Sequence, residues 1–114
     1  MKAQKLQVVF YRTDAGNEPV RVFLKEQSAI DKHVIGTDIK TVQFGWPLGM
    51  PLVRKLHDNL WEVRCSVSHG IVRVLFTVMG NNLVLLHAFT KKTQKIPSNE
   101  LQVAMGRLKQ VRED

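Results

Sequence analysis

The sequence predicts an α+β fold: an N-terminal strand, two helices, an antiparallel four-stranded meander and a C-terminal helix. Three observations predict it. Apolar and polar residues alternate from Val53 to Lys91 in four runs broken by turn residues. Apolar residues recur at helical spacing between Val20 and Val42, and again from Leu101 to Val111. A short β-branched and aromatic run, Gln7–Arg12, precedes them. The 114 residues suit one domain, residues 1–114, and a 44% hydrophobic share is enough to fill its core.

Each element has local signals. Asp14-Ala15-Gly16-Asn17 reads as a turn, with Asn17 as a helix N-cap and Pro19 in the first turn. Val20, Phe23 and Leu24 form one stripe, and Gln27 and Ile30 continue its spacing. Ser28-Ala29-Ile30-Asp31 resembles a capping box and starts a second helix, whose buried side is Ile35, Ile39 and Val42. Gly45–Pro51, with two prolines and two glycines, is a loop. Turns at Asp58-Asn59, Ser68-His69-Gly70 and Gly80-Asn81-Asn82 separate the four strands. Ser98 caps the last helix, where Leu101, Ala104, Met105, Leu108 and Val111 form the apolar side and Arg107, Lys109, Gln110 and Arg112 stay polar.

Turn positions imply a register. A two-residue turn at Asp58-Asn59 sets Lys55 opposite Glu62 and Val53 opposite Arg64. A two-residue turn at His69-Gly70 sets Cys65 opposite Val74 and Val63 opposite Phe76. A three-residue turn at Gly80-Asn81-Asn82 sets Val84, Leu86 and Ala88 opposite Val78, Phe76 and Val74, on a core face covered by the first two helices. The other face then carries a row Arg64, Leu75, His87 beside a row Ser66, Arg73, Phe89, with Lys91 beyond. Strand spacing of about 4.8 Å and same-face spacing of about 7 Å gather these residues into one nucleotide-sized patch.

Charge narrows the partners. A net charge of +7 and a pI near 9.9 favour an anionic partner, such as nucleic acid, a membrane surface or an acidic protein. No apolar run has membrane-spanning length and no signal peptide is evident. The single cysteine, Cys65, cannot form an internal disulfide and favours a reducing cytoplasm. It falls on the core face, as a buried thiol rather than a nucleophile. No Cys/His spacing suggests a zinc site, and no cofactor is expected.

The basic face offers specific chemistry. Arginine forks grip phosphate and stabilise the charge that develops during its transfer. Histidine or lysine can take the proton from a ribose 2′-hydroxyl, and phenylalanine can stack on an unpaired base. RNA carries its own nucleophile, so this chemistry needs no metal. Lys91, Lys92 and Lys95 extend the positive surface toward backbone phosphates. The plainer alternative is a solvated sheet face with scattered charges, Lys55 and Glu62 being a cross-strand ion pair.

Three blocks of sequence resemble the RelE/HigB toxin superfamily, closest to its phage-derived, HigB-like branch. They are Arg54-Lys55-Leu56-His57-Asp58-Asn59-Leu60-Trp61-Glu62-Val63-Arg64, Arg73-Val74-Leu75-Phe76, and the stretch from Leu85-Leu86-His87-Ala88-Phe89 through Lys91-Lys92-Thr93-Gln94-Lys95-Ile96-Pro97. The resemblance spans about residues 5–110 and agrees with the element order above. It implies an endoribonuclease that cuts mRNA, commonly in the ribosomal A site, and a cognate helix-turn-helix antitoxin that inhibits it. It implies catalytic roles for Arg64 and Arg73. Lys55, His87 and Lys91 also match pattern positions, and either His87 or Lys91 is the acid or base. The tyrosine that some members use near the C-terminus has no counterpart, since the one tyrosine is Tyr11. The reading is therefore a metal-independent mRNA endonuclease toxin: Arg64, Arg73, His87 and Lys91 catalytic, Lys55, Phe89, Lys92 and Lys95 on the RNA. The alternative is a non-catalytic RNA- or protein-binding module of the same fold.

Overall fold

The computed structural model describes residues 5–91 and 95–113. Strand β1 (Gln7–Phe10) leads into helices α1 (Pro19–Lys25) and α2 (Ala29–Gly45). Strands β2 (Val53–His57), β3 (Leu60–Val67), β4 (Gly70–Met79) and β5 (Asn82–Lys91) follow, then helix α3 (Ser98–Glu113). The meander forms as expected, but the sheet has five strands and is mixed. Its order is β1-β5-β4-β3-β2, with β1 parallel to β5 through Val8↔Leu83 and Val9↔Val84. Alternation within β1 could not reveal this partner, because parallel neighbours are joined only through distant chain.

The helices start close to their signals. Ser28 caps α2, its Oγ accepting from Asp31 N at 3.1 Å. The α1 cap is Glu18 rather than Asn17, whose N–H is taken by Thr13 Oγ1 at 3.0 Å. Helix α1 ends at Lys25, so Ile30 falls in α2 instead and stands 73% exposed. Asp31 turns from the helix to bind the next layer: its Oδ1 accepts from Ser68 N at 3.2 Å and Ser68 Oγ at 2.8 Å.

That bond accompanies the first correction of register. The β3–β4 turn is Ser68-His69, closed by Val67↔Gly70, rather than His69-Gly70. Every β3–β4 pair moves by two residues, so Trp61 meets Phe76 and Cys65 meets Val72. A shift of two preserves the faces, which is why the sorting of side chains survives.

Two bulges shift the register by one and do change faces. In β2, His57↔Leu60 pairs as expected, but an irregularity at Leu56 moves Arg54, not Lys55, opposite Glu62. In β5, pairs from Leu75↔His87 to Ile71↔Lys91 are as expected, while Phe76 meets Leu85 and Thr77 meets Val84. Val84 and Leu86 therefore leave the face covered by α1 and α2.

Two cores result. The first packs Val20, Ile35, Ile39 and Val42 of the early helices against Val53, Val63, Cys65, Val72, Val74, Phe76, Leu83 and Leu85. Trp46, Trp61 and Phe76 meet there with ring centroids 4.9–6.0 Å apart. The second packs Ala104 and Leu108 of α3 against Tyr11, Leu60, Leu75, Val84, Leu86 and Phe89. The face expected to be open is thus partly roofed by α3. No helix among the described residues is long and apolar enough to cross a membrane.

Adjacent Leu75 and Phe76 serve opposite cores, and each is fully buried. Leu75→Ala should cost about 2–5 kcal/mol and Phe76→Ala about 3–5 kcal/mol in urea unfolding. Ile30→Ser, at an exposed position, should stay within about 0.5 kcal/mol of wild type.

Candidate functional site

Three rows cross β3, β4 and β5 on the α3 face: Glu62–Leu75–His87, Arg64–Arg73–Phe89 and Ser66–Ile71–Lys91. Arg64 lies directly opposite Arg73, one row from where the sequence-derived register sets it. Like charges at opposed positions repel. The resolution is Glu62, whose carboxylate is fully buried beside them. Arg73 Nη1 donates to Glu62 Oε1 at 2.6 Å, and Arg54 Nη2 donates to Oε2 at 3.1 Å. Arg64 Nε lies 3.5 Å from Oε1. Among the described residues, the Glu62 carboxylate serves three guanidiniums.

The three arginines differ in access. The Arg73 side chain is fully buried, Arg64 is 15% exposed and Arg54 is 32% exposed. Arg64 Nε is buried and makes no hydrogen bond among the described residues. An arriving anion would meet Arg64 and Arg54, with Arg73 behind them fixing the shared carboxylate. Arg54 was missed by the sequence reading, because the bulge at Leu56 gives it the place assigned to Lys55.

Lys55 itself pairs with Trp61 on the opposite side of the sheet. Its side chain is 60% exposed, with Nζ 3.9 Å from Asp58 Oδ1. It does not contact Glu62. The physical reason fits the burial: a guanidinium can fork onto an enclosed carboxylate, whereas an ammonium is a strongly hydrated point charge.

His87 is held at both ring nitrogens by α3. Nε2 lies 2.9 Å from Glu100 Oε1, and Nδ1 lies 3.3 Å from Arg107 Nη1. A guanidinium only donates, so this arrangement assigns Nδ1 as acceptor and leaves the ring proton on Nε2, facing Glu100. Arg107 Nη1 also donates to Leu86 O at 2.8 Å, and the guanidinium lies 5.1 Å over the Tyr11 ring. Burial pushes Arg107 below its ordinary pKa. Tyr11 in turn donates its hydroxyl to Gln110 Oε1. The sequence marks Arg107 and Gln110 only as polar and gives Glu100 no role. Their helical offsets from Ala104 and Leu108 are the signal that places them along the edges of α3.

Phe89 is buried in the second core at 6% exposure and lies 5.6 Å from the His87 ring, tilted by 30°. Its ring supports the imidazole here, and stacking on a base would require that face to be uncovered. Lys91 is exposed at the end of β5. With Lys95, Ile96, Pro97 and Leu101 it lines a groove of about 540 Å³ beside the start of α3. Lys92 lies outside the described residues. Cys65 is buried, and burial followed by the nearby Asp38 carboxylate pushes its thiol far above the ordinary value. It is a neutral core group and not a nucleophile. Among the described residues, no group of three or more His, Cys, Asp or Glu is placed to hold a metal ion.

Removing Glu62 strands a buried guanidinium. Glu62→Ala should lower stability by about 3–5 kcal/mol in urea unfolding, and the double replacement Glu62→Met with Arg73→Met should recover most of it. Lys55→Ala should stay within about 0.5 kcal/mol of wild type.

Comparison with known proteins bears on the same residues. The family model described as Phage derived protein Gp49-like (DUF891) matches residues 22–109. That span runs from α1 into α3 and includes Glu62, its three arginines, His87, Glu100 and Arg107. Comparison with curated proteins gives no match. Because the matched span covers most of the chain, the protein belongs to the phage-derived Gp49-like family, a RelE/toxin-like family.

Proposed function

We propose that the protein is the toxin of a type II toxin–antitoxin pair, of the HigB-like kind, and that it cleaves mRNA on the ribosome. The observation that carries this reading is the gathering of three guanidiniums on Glu62, with Arg64 partly exposed at the rim. A phosphate is the natural occupant of such a cluster. Arg64 and Arg54 would contact it directly, and Arg73 would hold the array through Glu62. Family membership supports the same reading.

The chemistry is an internal transfer. The ribose 2′-oxygen forms a bond to phosphorus while the bond to the 5′-oxygen breaks. A base takes the 2′-hydroxyl proton, an acid protonates the departing 5′-oxygen, and the products are a 2′,3′-cyclic phosphate and a 5′-hydroxyl end. Arginine stabilises the charge that builds on the phosphoryl oxygens. Metal is not required, because substrate supplies the nucleophile. Lys91 and His87 are the proton-transfer groups. In the resting arrangement His87 is engaged at both nitrogens, so its participation requires Arg107 or Glu100 to withdraw. Lys95, Lys92 and Lys55 would follow the RNA backbone, and Phe89 would act by supporting His87 or, once uncovered, by stacking. The cognate partner is a helix-turn-helix antitoxin that neutralises the toxin in the cytoplasm.

The second reading is a non-catalytic basic module. The engaged imidazole and the enclosed Arg73 are the observations that favour it. Both readings bind RNA with a steep salt dependence, so binding does not separate them.

Mapping of new 5′-hydroxyl RNA ends after induced expression does. Wild-type protein should arrest growth and generate such ends on translated mRNA, with or without a chelator in the purified assay. Arg64→Ala should reduce cleavage by about 10²–10³-fold without unfolding the protein. RNA binding with no new 5′-hydroxyl ends would establish the binding module instead.

A further inference from the structure

Strand β3 outruns β2. Their ladder begins at Val53↔Val63, and the last bond between them is Arg64 N donating to Leu52 O at 2.9 Å. Beyond it lies a groove of about 470 Å³ between the β3 edge and α2. That volume falls within the roughly 300–1,000 Å³ of small-molecule sites. Val34, Leu52 and Ile71 give it apolar walls, and Asp38, Arg64 and Ser66 give it polar groups. These residues come from α2, β3, β4 and the loop before β2, so the groove is framed by elements already fixed by the first core.

We infer that this groove is a subsite for one guanine nucleotide of single-stranded RNA, with Asp38 reading the base and Arg64 holding the adjoining phosphate. The inference rests on the proposed ribonuclease reading for its polymer, but its recognition chemistry stands on the groove itself. Arg64 belongs both to the groove and to the Glu62 cluster, so a nucleotide seated here has its phosphate at the cluster's rim. Apolar walls suit a base, and Ser66 is an exposed hydroxyl able to meet a ribose oxygen. Asp38 also lies close to the buried Cys65 thiol behind the groove.

The base follows from hydrogen-bond complementarity. An ionised carboxylate is an acceptor at both oxygens. Guanine alone presents two adjacent donors, N1–H and N2–H, on one edge. Adenine and cytosine each set an acceptor beside their amino group, and uracil flanks its single donor with acceptors. A carboxylate therefore pairs twice with guanine and once with any other base.

Titration followed by amide NMR tests this without requiring cleavage. The probes are guanosine 3′-monophosphate, adenosine 3′-monophosphate, inorganic phosphate, and fully 2′-O-methylated RNA octamers carrying one guanine or one adenine. Guanosine 3′-monophosphate should shift Val34, Asp38, Ser66 and Ile71 and bind about tenfold more tightly than its adenosine counterpart. The guanine octamer should bind more tightly than the mononucleotide. Asp38→Asn, which keeps the side-chain size and replaces one acceptor by a donor, should equalise the two bases without weakening the binding of inorganic phosphate. Arg64→Ala should weaken every probe. Equal binding of the two mononucleotides, shifts confined to another surface, or persistence of guanine preference in Asp38→Asn would overturn the subsite. A mononucleotide that outbinds the octamer would also overturn it, as the mark of a free-nucleotide site. Guanine-selective binding in a protein that generates no 5′-hydroxyl ends would uphold the subsite while removing the nuclease reading.

Discussion

One buried carboxylate governs this site. Glu62 has no solvent exposure and lies among Arg54, Arg64 and Arg73. Burying a charge without partners costs several kcal/mol, so the surrounding backbone must deliver guanidiniums to it. The bulge at Leu56 brings Arg54 opposite Glu62, and the Ser68-His69 turn brings Arg73 opposite Arg64. The turn does not follow from the apolar pattern, since a shift of two buries the same alternating residues, and the bulge changes which β2 side chain faces Glu62. Both are explained by a charge cluster that needs three particular neighbours. The cluster in turn keeps two arginines close enough to share one anion, an arrangement that direct repulsion would otherwise disperse.

The roof over the site depends on a second set of polar contacts. Helix α3 buries Ala104 and Leu108, with Leu101, Met105 and Val111 partly buried beside them. Its orientation is fixed at the edges, by Glu100 and Arg107 on His87, by Arg107 on the Leu86 carbonyl and by Gln110 on Tyr11. Core and chemistry therefore meet on β5. The bulge near Leu86 turns Val84 and Leu86 toward α3 while leaving His87 and Phe89 in their rows with Leu75 and Arg73. An RNA that engages His87 must compete with the contacts that hold the helix in place.

Much of this was legible in the sequence. Element order followed from periodicity and turn chemistry, and Arg64, Arg73, His87 and Lys91 were sorted to one face because an even register error preserves alternation. What escaped was whatever a one-residue shift controls. Lys55 and Arg54 are neighbours in the chain, and only the bulge decides which of them meets Glu62. The parallel partner of β1 was also hidden, since it is set by chain returning from 75 residues away rather than by a turn. The half-covered state of the basic face was missed because α3 was read by its apolar stripe alone. Arg107 and Glu100 sit at the margins of that stripe, where a polar residue serves either solvent or the sheet, and spacing does not distinguish the two.

The central claim is that Glu62 and Arg73 hold Arg64 ready for an RNA phosphate. Side-chain Nε–Hε resonances of the arginines, followed during titration with a non-cleavable 2′-deoxy dinucleotide, test it most directly. The account expects a large, salt-sensitive shift at Arg64, a smaller one at Arg54, and an Arg73 resonance that stays protected from solvent exchange throughout. An unchanged Arg64 resonance at saturating ligand, or an Arg73 signal that exchanges freely before ligand is added, would contradict it.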